Sequence, residues 1–416
     1  MIPTRRSFLH TAALGVVGTA LSGESLLAGV PSVQQPALPL SQELGDRFDP
    51  WIEVEADALA HNVAEVRRLT ANRPILAVIK NNAYGLDLTT TAALLEPMPK
   101  VVGFAVVKVE AAIALKEAGI GKPVYLMGLF PESMAPELAH LGVRPCLYSE
   151  DALRLIEPMV QTVGEPIDAH IYLDTGMGRM GVRFEDAESI LKSLMDIPAI
   201  RVEGVYSHFA TADEGDPGYA EYQLKQFEGI LKIAEQMGLT FEHVHLSNSG
   251  SVLNLPESSF TLVRVGLLLY GAFPSDEVPK DFPLEPVMEF TAPVVNLRKV
   301  KAGTLVSYGG VWSAPHDTVI GVIQVGFADG LPRSWYEEGC ISLKGERYKI
   351  AGRVCMDQFT VDFFNANVKA GDEVLLFGKN KTDSILIEEI SESIGSTPYV
   401  LFTAIGGRTK RIFKGL

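Results

Sequence analysis

Apolar residues along this chain gather in short runs that end in polar residues or glycine. Eight of these runs, at 75–80, 101–106, 124–128, 145–149, 167–174, 202–208, 243–248 and 262–265, recur at a spacing that leaves room for one helix between each pair. The intervening stretches at 110–118, 185–195 and 221–237 are amphipathic with helical period. Strand and helix alternating eight times predict an α/β fold, a (β/α)8 barrel of the TIM type over residues 50–290. After Thr291 the texture changes to short alternating strands with glycine turns, at Lys301-Ala302-Gly303 and Ala370-Gly371-Asp372, and only 387–394 reads as helical. A mostly β C-terminal domain over 291–416 is expected there.

The first residues follow another pattern. Arg5-Arg6 with Ser7-Phe8-Leu9 precedes an uncharged, apolar-rich stretch from Thr11 to Gly23 and a small residue at Ala28, the order of a twin-arginine export signal. Residues 1–28 are therefore read as a signal that sends the protein out of the cytoplasm, to the periplasm. Residues 29–49, rich in Pro, Gln and Ser, suit a solvated linker, and folded structure is expected from Trp51. No segment reaches the length of a membrane span. With 36 Lys+Arg against 51 Asp+Glu, a net charge of −15, the surface repels phosphate backbones and anionic lipid, so neither nucleic acid nor membrane is an expected partner. Cys146, Cys340 and Cys355 are too few for a disulfide scaffold and wrongly spaced for a zinc knuckle; one disulfide stays open.

What remains is small-molecule chemistry, and a barrel places it at the C-terminal ends of its strands. The residues ending the runs are Lys80, Arg179, His208, Asn248, Ser249, Arg264 and Gly266. A lysine at a barrel mouth loses its charge through desolvation and nearby cations, which makes it a Schiff-base nucleophile or a base. Ser249 and Gly266 end the seventh and eighth runs, where barrels commonly bind phosphate with backbone N–H groups and small residues. A lysine that traps aldehydes and a phosphate cradle in one mouth point to pyridoxal phosphate, with a bare phosphosugar as the rival ligand. Arg264 is placed to face the pyridine nitrogen or to serve as an ion-paired barrel arginine.

Two further patterns carry less. Residues 176–181 match G-x-G-x-x-G after a strand, but at the end of the fifth run, with an arginine inside, and a barrel has no dinucleotide crevice. His243 and His245 share a strand face that would suit zinc, yet no acidic partner stands at ligand spacing, so a satisfied histidine pair is the better reading and no metal is expected.

The strings themselves resemble the alanine racemase family: AVIKNNAYG at 77–85, LDTGMGRMG at 173–181, SHFATAD at 207–213, SNSG at 247–250, VRVGLLLYG at 263–271, VSYGG at 306–310, GFADG at 326–330 and GRVCMDQ at 352–358. The likeness runs from about Trp51 to the C-terminus. It implies a fold-type III pyridoxal-phosphate enzyme working as a homodimer whose active sites are shared between subunits. By motif, Lys80 resembles the lysine that binds the cofactor and acts as base on one face, and Tyr308 the opposite base, contributed by the partner chain. Tyr84, Ser249, Gly266, Leu267 and Tyr399 match phosphate contacts, with Asn248 beside them. Arg264 matches the arginine at the pyridine nitrogen, and His208 the histidine that packs on the ring. Arg179 resembles the residue near the phenolic oxygen and the substrate carboxylate, and Met356 the backbone N–H donor from the partner. Asp213, Arg333 and Arg353 match the polar gate of the substrate entrance.

Departures from the family pattern bear on specificity. Tyr172 stands where many members carry a modified lysine that braces the arginine of GMGR, and Phe327 replaces the entrance tyrosine. Three readings follow: an L/D-alanine racemase, an exported racemase of broad specificity that also takes lysine, arginine and methionine, and a non-catalytic pyridoxal-phosphate carrier. Two bases on opposite faces are needed to racemise, and a carrier would leave Tyr308 unexplained.

Overall fold

The computed structural model describes residues 47–415, so the expected export signal and nearly all of the linker lie outside the described residues. Strand β1 (Trp51–Glu55) comes first. The eight apolar runs then form β2 (Ile75–Val78), β3 (Val101–Val106), β4 (Val124–Leu126), β5 (Arg144–Leu147), β6 (Ile167–Asp174), β8 (Ile200–Tyr206), β9 (His243–His245) and β10 (Val263–Val265). The two-residue β7 (Val182–Arg183) only extends the edge of β6. The eight strands are parallel, in the order β10-β2-β3-β4-β5-β6-β8-β9. Backbone bonds from Leu262 N to Val244 O (3.3 Å) and Arg264 N to Ser247 O (3.3 Å) bridge β9 and β10, which leaves a nearly closed barrel.

Helices Val109–Glu117, Ala187–Met195 and Gly218–Gln236 occupy the amphipathic stretches. The last buries Ala220, Gln223, Leu224, Phe227, Ile230 and Ala234, a stripe at helical spacing that covers the barrel wall. The barrel interior is less usual. Two small clusters, Leu76-Ala105-Tyr125-Leu262 and Cys146-Tyr172-Tyr206, share it with four buried polar side chains, His170, Glu203, His245 and Arg264. All three cysteines are free thiols.

After the barrel, β11 (Met288–Val300) starts a mostly β C-terminal domain. It pairs with Glu373–Lys379 along one half and with Thr318–Ile323 along the other. Two expectations need correcting here. Trp51–Glu55, assigned to the barrel with residues 50–290, belongs to this second sheet, where β1 lies between β11 (antiparallel) and Lys410–Lys414 (parallel). It precedes the eight barrel runs along the chain and so fell within those bounds, but its partners come from after residue 287, and Lys414 pairs with Glu53. Second, 387–394 is not the only helix after Thr291: Pro398–Ala404 is another, opened by a proline at its first turn. This helix reaches back to the barrel. Gly85, at φ +87°, lies against the Phe402 carbonyl, where a Cβ has no room.

Candidate active site

Lys80 stands two residues beyond β2 and starts a turn in which Asn81, Asn82, Ala83 and Tyr84 have φ of 53°, 54°, 51° and 54°. Asparagine tolerates left-handed backbone, whereas residues such as Ala83 and Tyr84 pay roughly 1–2 kcal/mol each for it. Asn82 Oδ1 helps hold the turn by accepting from Leu88 N at 2.9 Å. The outcome is positional: Tyr84 swings into the same cavity as Lys80. Its ring stacks on Tyr270 at 4.6 Å, and the Tyr270 hydroxyl donates to Val78 O at 3.1 Å.

Lys80, Tyr84, Arg179, His208, Asn248, Ser249, Arg264, Gly266, Leu267 and Tyr399 all line this one cavity of about 470 Å³, and Asp213 joins them. Every strand-end residue singled out in the sequence is thus brought together. Burial, with Arg179 and Arg264 near, pulls the Lys80 ammonium below its ordinary pKa, as an amine nucleophile requires. Burial also lowers Arg264, although Tyr206, Tyr172 and Cys146 work the other way. The Arg264 guanidinium is held on three sides. Nη1 donates to His245 Nδ1 at 2.8 Å, and Nη2 to Ser207 O at 2.9 Å and His208 Nδ1 at 3.1 Å. Tyr206 lies under it, 5.2 Å from ring centre to guanidinium carbon.

On the opposite side, Asn248 caps the helix Ser249–Asn254 by accepting from Ser251 N at 2.9 Å. Ser249 Oγ then sits 3.3 Å from Gly266 N and 3.4 Å from Leu268 N. A Cβ on Gly266 would come within 2.5 Å of the Tyr84 hydroxyl, so glycine is what keeps this corner open. Burial raises the phenols of Tyr84 and Tyr399, which stay protonated and able to donate.

The glycine-rich run 176–181 is a turn folded around a carboxylate. Asp174 accepts from Gly176 N at 3.0 Å and Gly178 N at 3.1 Å, which presents Arg179 exposed at the rim. Tyr172, in the place of the family's lysine, stacks on Tyr206 at 4.6 Å with its hydroxyl buried and unpartnered. Burial raises its pKa even though Arg179 and Arg264 pull the other way. His245, a zinc candidate by spacing, has both ring nitrogens engaged, by Arg264 and by His170 at 2.9 Å.

Tyr308 and Met356 lie elsewhere. They line a second, open cavity of about 650 Å³ with Ser307, Cys355 and Asp357, and neither touches the first. Tyr308 is 68% exposed and Met356 56%. Of the entrance residues, Phe327 donates its backbone N–H to Cys355 O at 3.0 Å, and Arg353 lies against Gly309, so both belong beside Tyr308. Arg333 is exposed and lines neither cavity. Sequence reasoning missed Tyr206, His170 and Glu203. Tyr206 had a readable signal: it precedes His208 by two in the same run and so shares its face.

Three imidazoles, His208 lining the cavity and His170 and His245 buried behind it, are held neutral. Burial takes His170 down to about 4 and, with Arg264 close by, His208 and His245 well below their ordinary value. Unfolded histidines titrate near 6.5. As pH falls through that value the unfolded chain takes up protons that the folded one refuses until its lower pKa values are reached. Stability is therefore full above about pH 6.5 and declines toward pH 4, at a limiting slope of about 4 kcal/mol per pH unit for three protons. Urea midpoints measured at stepped pH should fall steeply below about pH 6.5; a flat profile down to pH 5 would contradict the neutral state.

Comparison with known proteins agrees along most of the described chain. The profile of the alanine racemase N-terminal domain matches residues 54–274, and that of the C-terminal domain residues 287–413. The alanine racemase of Desulforamulus reducens is 35% identical over 370 residues, 88% of this chain and 99% of its own length. That of Carboxydothermus hydrogenoformans is 35% identical over 366 residues, 87% and 99% of the two chains. Among solved structures, alanine racemase from D-cycloserine-producing Streptomyces lavendulae gives a TM-score of 0.85 at 30% identity, covering 89% of this chain and 98% of that one. The Streptomyces coelicolor enzyme gives 0.84 at 30% identity, covering 89% and 99%.

Proposed function

The chain belongs to the alanine racemase family, and from that premise we propose that it interconverts L- and D-alanine with pyridoxal phosphate, using Lys80 on one face of the substrate and Tyr308 of a second subunit on the other. The observation that carries this reading is the division of the expected site into two open cavities on one chain, Lys80 in the first and Tyr308 with Met356 in the second. Neither half has both bases, and a head-to-tail pair of subunits completes each with the other.

The residues of the first cavity suit the cofactor. The corner kept open by Gly266, with the Ser249 and Tyr84 hydroxyls, backbone N–H groups and Tyr399, accommodates a phosphate; Lys80 offers an amine of lowered pKa. Pyridoxal phosphate, when bound, supplies the electron sink that acidifies the α-hydrogen of an amino acid. The protein does the rest. Lys80 Nζ, less basic than a free lysine, takes or returns a proton on one side. Arg264, which cannot readily release its own proton, would hold the ring nitrogen as a donor and leave that nitrogen unprotonated. Neutral His208 would lie against the bound ring, and Arg179 at the rim would attract the substrate carboxylate. Tyr308 Oη serves the opposite side, with the Met356 N–H from the same partner subunit. Gly266→Ala should raise the dissociation constant for pyridoxal phosphate at least about tenfold, since the added methyl takes the Tyr84 hydroxyl's place; titration of the stripped protein, followed by absorbance, measures it.

One observation favours a second reading. Phe327, 40% exposed beside the Cys355–Met356 segment, lacks the hydroxyl that narrows the family's entrance, which suits a racemase of broader range. Proton NMR in deuterated water with a panel of L-amino acids separates the two. Loss of the α-proton signal for alanine, with serine at most a weak second, is the expected result. Comparable loss with lysine, arginine or methionine would replace it with the broad-specificity enzyme, and no loss with cofactor bound would leave only a carrier.

A further inference from the structure

Arg264 is the end of a longer chain of contacts that crosses the barrel interior. From its Nη1 the chain runs to His245 Nδ1 (2.8 Å), from His245 Nε2 to His170 Nδ1 (2.9 Å), and from His170 Nε2 to Glu203 Oε2 (3.1 Å). At the far end of this line Glu203 is met by Arg144 Nη1, 2.6 Å from Oε1, and by the Tyr125 hydroxyl, 3.1 Å from Oε2. Glu203, His170, His245 and Arg264 are all buried.

The local backbone serves this line. In the pairing of β6 with β8, Ala169 faces Val202 and His170 faces Gly204, so Glu203 is the extra residue of a bulge that re-aims its side chain inward. A Cβ at Gly204 would stand 2.7 Å from His170 Nε2, so glycine is what admits the imidazole.

The order of protons along the line is fixed by chemistry. A guanidinium only donates, so His245 Nδ1 must accept and its proton sits on Nε2. His170 Nδ1 then accepts, and the His170 proton sits on Nε2, pointing at an oxygen that must be an acceptor. An extra proton anywhere along the line, on either ring or on Glu203, would set two donors face to face. Burial disfavours the Glu203 charge, yet His170 and Arg144 keep the carboxyl below its ordinary pKa.

We propose that Glu203 is a positioning residue for the racemase: through His170 and His245 it orders the protons so that Arg264 meets only lone pairs and keeps its remaining donors for the cofactor ring. The inference rests on the reading that Arg264 faces pyridoxal phosphate. Glu203→Gln tests it. Arg144 claims the amide oxygen, so the amide NH2 points at His170 Nε2, and the proton order of both rings reverses. His245 then presents an N–H to Arg264 and displaces it.

The experiment labels the imidazole nitrogens with 15N and reads the protonated nitrogen of each ring from two-bond proton–nitrogen couplings in the cofactor-loaded enzyme. In the wild type, His170 and His245 should both be neutral with the proton on Nε2. In E203Q both should carry it on Nδ1, the absorbance of the bound cofactor should shift, and kcat should fall roughly 10- to 100-fold with KM for alanine nearly unchanged. E203D, which restores a carboxylate, should recover the wild-type proton order and most of kcat. Wild-type rings that are doubly protonated or carry the proton on Nδ1 would overturn the proposal even if E203Q does not fold. An E203Q enzyme slowed with its proton order unchanged would overturn it as well, leaving Glu203 a structural role alone. A wild type that binds no cofactor shows that separately, in its absorbance, and then the functional reading is what fails.

Discussion

Lys80→Ala should give a folded protein that holds no covalently attached cofactor and racemises alanine at less than about a thousandth of the wild-type rate, the loss expected when a base is removed together with the point of attachment. The fold should survive because Lys80 is a cost to it: burial and two neighbouring arginines oppose its charge, and removing the ammonium relieves both. A thermal midpoint at or above the wild-type value checks that part. Absorbance after dialysis checks the covalent link, and small primary amines added to the variant should restore some turnover by standing in for the missing side chain. Racemisation by Lys80→Ala without added amine would refute the assigned role.

Tyr308→Phe should separate the two faces of the reaction. Net racemisation must fall equally in both directions, because the equilibrium between enantiomers is fixed. Exchange with solvent deuterium is free of that constraint. With Lys80 intact, one enantiomer still loses its α-proton to Nζ and regains deuterium on the same side. The other meets a ring with no hydroxyl, and its exchange should drop by about 10²–10⁴, the range for loss of a positioned acid or base. The substitution leaves the fold alone, since Tyr308 is exposed in the single chain. Equal loss of exchange from both enantiomers, with cofactor still bound, would end the two-face reading.

Much of this site was legible because its residues close apolar runs. A strand ending in Lys80, His208 or Arg264 is a visible break in a hydrophobic pattern, and a barrel turns such breaks into one ring of neighbours. The interior line was not legible for the same reason. His170 and Glu203 sit in mid-strand, where an isolated polar residue reads as a solvent-facing position, and Glu203 faces inward only through a bulge that a period of two does not foresee. The helix Pro398–Ala404, which carries Tyr399 to the cavity, was hidden in a short apolar run that suits a strand equally well. Tyr308, Met356 and Arg353 were found by motif alone. Tyr308 and Met356 line an open cavity on the single chain, and nothing local marks any of the three as functional.

The placement of β1 has a consequence for the order in which the molecule is made. Trp51 pairs with Thr291 on one side and Lys410 on the other, so the first described strand stays incomplete until Lys410 has been made. The barrel strands β2 to β10 need nothing beyond Val265, and can assemble while the ribosome is still at work. The second sheet is closed only once Lys410–Lys414 has emerged, by the strand pairing of greatest sequence separation among the described residues. Because β1 and Lys410–Lys414 run parallel, Lys414 lies beside Glu55 and a full strand length from Trp51, so a permuted chain that joins Lys414 to Trp51 and opens in a surface turn needs a crossover linker of about a dozen residues or more. In such a permuted chain β1 would follow Lys410–Lys414 after that crossover, and the strands of the second sheet could then be synthesised as one continuous segment.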